Sequence, residues 1–103
     1  MKIALTVKGV GFGAWLDDDF INCGHMMLVE DDNQFEAWQN PVSESIDHSG
    51  RELAESIIQA KPDILVTGII SDAQKGLFIS QGIQVMDQRQ GFVLELLEEA
   101  RQR

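Results

Sequence analysis

The chain has 103 residues, 44% of them apolar, which suffices for one small core and one domain. A net charge of −9 argues against nucleic acid, whose phosphates need a basic surface, and against an anionic membrane face. The lone cysteine, Cys23, excludes an intrachain disulfide framework and fits a reducing cytoplasm; no run of about eighteen apolar residues offers a membrane helix, and Met1-Lys2-Ile3-Ala4-Leu5 does not read as a signal peptide.

Lys2 to Val7 alternates as a strand, with Ile3, Leu5 and Val7 on one face and Ala4 and Thr6 on the other. A loop punctuated by Gly9, Gly11 and Gly13 follows, then Asp17-Asp18-Asp19 breaks the pattern. Cys23 to Glu30 reads as a second strand. Asp31-Asp32-Asn33 is turn chemistry, and Gln34 to Gln39 alternates again, so the two form a β-hairpin. A polar loop over 41–48 leads to Ser49-Gly50-Arg51-Glu52, a capping box, and to Leu53, Ala54, Ile57 and Ile58 at helical spacing. Lys61-Pro62 stops that helix. Ile64-Leu65-Val66 is a continuous apolar run, expected of a strand covered on both faces. Ser71 and Gln74 make a second capping box, with Ala73, Leu77 and Phe78 expected inward and Gly82 as the left-handed terminator. Ile83 and Val85 mark a short last strand. Gly91 to Arg101 is an amphipathic helix with Phe92, Val93, Leu96, Leu97 and Ala100 on one side.

The order β-β-β-α-β-α-β-α predicts a mixed five-stranded sheet with helices on its faces, because helical crossovers make parallel neighbours. Candidate chemistry concentrates in Cys23-Gly24-His25-Met26-Met27. On one strand, positions 23, 25 and 27 share a face, and Cys, His and Met are soft or borderline metal ligands. The competing reading makes Cys23 and the methionines core fillers and His25 a surface or hydrogen-bonded group. His48, the other histidine, lies just before a helix start, where it is either a ligand or a loop residue.

Lys8 to Ala14 formally contains G-x-G-x-x-A, yet Trp15-Leu16 runs into three aspartates instead of a helix, so a dinucleotide site is not supported. Asp17, Asp18 and Asp19 invite a metal-nuclease reading, but the first strand carries no acid; a solvated loop is the expected role. No G-x-S-x-G or other nucleophile motif is present, so no catalytic residue is assigned and the chain is not expected to be an enzyme. Small-molecule catalysis is a distant alternative.

The second half runs His48-Ser49-Gly50, Leu53-Ala54, Pro62-Asp63-Ile64-Leu65-Val66-Thr67-Gly68-Ile69-Ile70, then Ala73, Leu77 and Gly82-Ile83-Gln84-Val85. With the element order, these motifs resemble the nitrogenase iron–molybdenum cofactor biosynthesis family of the NifX and NifB C-terminal type. The resemblance covers nearly the whole chain. In the first half, Asp18-Asp19-Phe20-Ile21-Asn22-Cys23 stands where that family often carries Asp-x-Phe-Gly-Arg-Ala/Cys. Phe20 and Cys23 match; Ile21 and Asn22 replace a glycine and a basic residue, and Ile69 replaces the second glycine after the fourth strand.

The resemblance implies a ribonuclease H-like fold and a cytoplasmic, non-catalytic domain that carries an iron–sulfur or iron–molybdenum cofactor precursor. Its partner would be a protein donating or accepting the cluster, and the chain itself a monomer or weak dimer. Cys23, His25 and His48 would face the metal. Gly9, Gly11, Gly13, Asn22, Gly68 and Ser71 would line the ligand, with backbone N–H groups of 68–71 holding an anionic cluster at a helix start. The alternative is a metal-free acidic interaction or regulatory domain of the same fold, binding a protein through its acidic surface and the Trp15 loop. The loss of the basic residue at Asn22 and the short ligand count favour it.

Overall fold

Alternation in the first strand sets the layers. The computed structural model describes residues 1–40 and 51–102. β1 (Ile3–Val7) is buried at every position. Successive side chains alternate between faces, so Ile3, Leu5 and Val7 feed one core and Ala4 the other. β2 (His25–Val29) and β3 (Phe35–Gln39) follow as the expected hairpin, turned at Asn33 with φ 64°. Then come α1 (Arg51–Ala60), β4 (Ile64–Val66), α2 (Asp72–Ser80), β5 (Gln84–Met86) and α3 (Val93–Arg101).

The sheet order is β3-β2-β1-β4-β5. β1 is antiparallel to β2 and parallel to β4, β2 is antiparallel to β3, and β4 is parallel to β5. The mixed five-stranded α/β architecture is therefore as the element order predicts. α3 covers one face, packing Val93, Leu96, Leu97 and Ala100 on Ile3, Leu5, Met27, Val29 and Val66. α1 and α2 cover the other, where Leu53, Ala54, Ile57 and Phe78 meet Ala4, Met26, Leu28 and Leu65. Among the described residues no helix is long and apolar enough to cross a membrane.

Local signals act where the sequence placed them. Ser71 Oγ accepts the Gln74 backbone N–H at 3.2 Å and caps α2. Gly82 follows the same helix with φ 80°. Ser49 and Gly50 of the first capping box lie outside the described residues.

Two expectations need correction. β2 begins at His25, so Cys23 precedes the strand and joins the α1/α2 core while His25 takes the parity of Met27 on the α3 side. The shared face expected for residues 23, 25 and 27 does not form. In α2, Ala73 and Leu77 are exposed and Phe78 alone is buried. Leu77 and Phe78 sit about 100° apart around the helix, so one must turn outward. Phe78 takes the core, edge-to-face on Phe20 at 5.6 Å.

This phase is testable by chemical denaturation. Phe78→Ala should cost about 3–5 kcal/mol, as for large-to-small changes in a packed core. Leu77→Ala should change stability by only about 0.5 kcal/mol.

Candidate functional site

Open α/β sheets bind ligands beyond the carboxyl ends of their parallel strands. Here that edge lies beyond Val7 of β1 and Val66 of β4, and three segments close over it: residues 14–20, 67–70 and 86–91. Their backbones are laced together. Asp17 N–H donates to Thr6 O, Ile69 N–H to Asp18 O, Phe20 N–H to Ile69 O, Arg89 N–H to Thr67 O, and Gln88 N–H to Gly68 O, all at 2.8–3.1 Å. Under them lies a fully buried pair, Thr6 Oγ1 and Thr67 Oγ1, 2.7 Å apart, which satisfies two hydroxyls between adjacent parallel strands.

Gly68 permits this arrangement. A Cβ on Gly68 would overlap the carbonyl oxygen and carbon of Asp18 and press on the carbonyl of Asp17. The Asp17–Asp19 triplet is thus a strap across the sheet edge, bridged at Asp19–Ile69, and not the solvated loop expected from its charge. Its carboxylates hold the turn that follows. Asp17 Oδ1 accepts Asp18 N–H at 2.8 Å and Oδ2 accepts Gly24 N–H at 3.1 Å. Asp19 Oδ1 accepts Ile21 N–H, and Oδ2 accepts Asn22 Nδ2–H at 2.8 Å.

The residues singled out by sequence scatter around this edge. Gly9, Gly11 and Gly13 lie in the loop that leaves the end of β1 and packs onto the α3-side core through Phe12 and Ala14. Gly11 has φ 124°, a conformation that favours glycine; Gly9 and Gly13 have open space around them. Asn22 is exposed and tied to Asp19. The inner side of the 68–71 turn is filled by the strap, since Ile69 N–H is engaged by Asp18 O, and Ser71 caps α2. His48 lies outside the described residues.

Cys23 is buried in the α1/α2 core. Asn40, itself buried, donates through Nδ2 to Ile21 O at 2.7 Å, Cys23 O at 2.8 Å and Cys23 Sγ at 3.5 Å. Burial, reinforced by the negative charge of Asp17, pushes the Cys23 thiol up to about 12. A thiol held neutral is a poor metal ligand, because the thiolate is the binding form. His25 pairs in register with Val7 and Gln39. Its Nδ1 is buried with no hydrogen-bond partner among the described residues. Such an atom costs about 1–3 kcal/mol, which a ligand contact would recover.

Among the described residues no group of three or more His, Cys, Asp or Glu is placed to hold a metal ion. The donor set does not fit a resident metal centre: thiol and imidazole stand on opposite faces of the sheet. Sequence reasoning missed Thr6, Thr67 and Asn40. Thr6, a hydroxyl inside an otherwise apolar and fully covered strand, was the one readable signal. The cations at this edge are paired, Lys8 with Asp18 at 3.8 Å, Lys75 with Asp87 at 3.0 Å and Arg89 with Glu99 at 2.9 Å.

Comparison with known proteins bears on this geometry. A family model described as dinitrogenase iron-molybdenum cofactor matches residues 1–103. The apo form of the orange protein from Desulfovibrio gigas superposes with a TM-score of 0.87 at 19% identity, covering 98% of this chain and 87% of that one. An NMR structure of a protein from Thermotoga, described as of NifB type and of the DUF35 family, superposes with a TM-score of 0.78 at 14% identity, covering 98% and 87%. At these identities the likeness establishes the fold. A comparison with curated proteins finds no significant match.

Two outcomes follow from the edge geometry. Gly68→Ala should destabilise by about 2–3 kcal/mol, because the obstructing atoms are backbone, whereas Gly9→Ala should be neutral or stabilising by up to about 1 kcal/mol; urea midpoints decide both. The raised Cys23 value means that the unfolded chain releases this proton first. Stability from this group is therefore full below the ordinary thiol value of 9.0 and falls as pH rises toward about 12. Urea midpoints at pH 8 and pH 10 should drop more in the wild type than in Cys23→Ser.

Proposed function

The chain belongs to the dinitrogenase iron-molybdenum cofactor family, and on that premise we propose that it is a small non-catalytic carrier domain whose cargo is an iron–sulfur or iron–molybdenum cofactor precursor. The family match over residues 1–103 carries this reading. The β3-β2-β1-β4-β5 order, with β2 antiparallel to the central strand, supports the ribonuclease H-like description of the fold. The domain would receive its cargo from one cytoplasmic protein and pass it to another.

The cluster is treated as cargo, since the described side chains do not form a ligand set for a resident centre. Within the site we assign the leading contact to His25, whose buried Nδ1 is without a partner among the described residues. Its imidazole suits iron and the other borderline metals. The Gly9–Gly13 loop folds onto the same face of the sheet and would close over the cargo there. Asn22, Gly68 and Ser71 contribute less directly, by fixing the strap and the α2 start. Cys23 would act as a ligand only after leaving its core position and losing its proton.

Anaerobic reconstitution with iron, sulfide and molybdate, followed by absorption spectra and metal analysis, tests the reading. The wild type should retain more metal than His25→Ala, with Cys23→Ser close to the wild type. A wild type that retains no more than the His25→Ala/Cys23→Ser double variant, itself verified as folded by circular dichroism, sinks the cargo reading.

A further inference from the structure

Trp15 and Phe92 form an exposed aromatic pair that neither core uses. Trp15 is 54% exposed and Phe92 37%. Their rings meet edge-to-face, with centroids 4.5 Å apart and planes at 70°. The backbone holds them in place through an antiparallel bridge, with Leu16 N–H donating to Gly91 O and Val93 N–H to Ala14 O, each at 2.9 Å. Two large apolar groups are thus presented on a fixed frame, so a partner would not have to order them on binding.

Around the pair the basic side chains are each met by a carboxylate, and among the described residues Glu95 is left without a basic partner. Asp17 and Asp18 lie two and three residues past Trp15 in the strap, Asp17 accepting backbone N–H groups and Asp18 facing Lys8. Glu95, in the first turn of α3, reaches over Gly91, its Oε2 3.8 Å from where a Cβ there would lie. Glu95 makes no ion pair among the described residues. Lys8 lies alongside, its N–H donating to Trp15 O, but its ammonium faces Asp18. Arg89 is held by Glu99. An exposed indole beside the unpaired Glu95 carboxylate is a surface for a cation on an apolar stem, which gains from the ring face and from the carboxylate together. A second copy of this chain would bring another −9 to the same place and is disfavoured.

From this geometry we infer that the Trp15–Phe92 surface docks a basic segment of a partner protein, with an arginine or lysine side chain laid against Trp15 and directed at Glu95. The inference is independent of the cargo reading, because nothing in it involves a metal.

A defined probe tests it. The 15N-labelled chain is titrated with the peptide acetyl-Gly-Arg-Leu-Arg-Gly-amide, and with the same peptide carrying citrulline, a neutral isostere, in place of both arginines. The arginine peptide should shift the Trp15 indole N–H and the Phe92 and Glu95 amides saturably; the citrulline peptide should not. Trp15→Leu and Glu95→Gln should each weaken binding by about three- to fivefold. Because Glu95 is exposed, its variant keeps the test valid if Trp15→Leu misfolds. No binding of the arginine peptide, equal binding of the citrulline peptide, or unchanged affinity in Glu95→Gln overturns the inference. So do Trp15 shifts that depend on protein concentration without peptide, which would assign the surface to a second copy.

Discussion

Gly68 meets the backbone of Asp17 and Asp18 so closely that no side chain fits between them. β4 is only three residues long and ends against buried Thr67. The strap extends the sheet past that point by pairing with residue 69 on the vacated edge. From this one contact the strap feeds both cores. Leu16 enters the α3-side cluster and Phe20 the α1/α2-side cluster, where it meets Phe78. The same strap sets the Gly24 turn through Asp17 and so fixes where β2 begins. A methyl group at position 68 would disturb all of these together.

The polar groups at this edge are arranged around the same strap. Thr6 and Thr67 satisfy one another, and Asn40 satisfies the carbonyls of Ile21 and Cys23. The acids of the strap take backbone N–H groups that would otherwise be left without partners in a tight turn. The result is a closed floor; His25 Nδ1, which has no partner among the described residues, is not bonded to it. Cys23, the residue most suggestive of metal chemistry in the sequence, belongs to that floor as a neutral thiol held by burial.

Family membership and fold agree across proteins of under 20% identity. A fold held at such distance constrains what the edge can present more than which ligand it takes. In this chain the edge carries two separable features. One is the face shared by His25 and the glycine loop. The other is the rigid aromatic pair with its acidic surroundings, reached through the same segments 14–17 and 91–93. If the first takes the proposed cargo and the second the proposed partner, each could be changed by substitution without removing the other.

By itself the sequence determined the element order, the two faces of β1, the hairpin, the α2 cap at Ser71 and the family. These depend on periodicity, turn chemistry and short motifs, which act within a few residues. It left open the phase of α2, because Leu77 and Phe78 are both apolar and only the position of Phe20 chooses between them. It also misjudged the face of Cys23, because the strand starts two residues later, at His25, and strand alternation does not govern a residue in the turn before it. The structural use of the aspartate triplet and the need for glycine at position 68 were invisible in the sequence. Both arise from a meeting of segments about fifty residues apart, and local sequence carries no record of such a contact. Tertiary packing alone decided them, since a backbone approach that close exists only once both cores have closed.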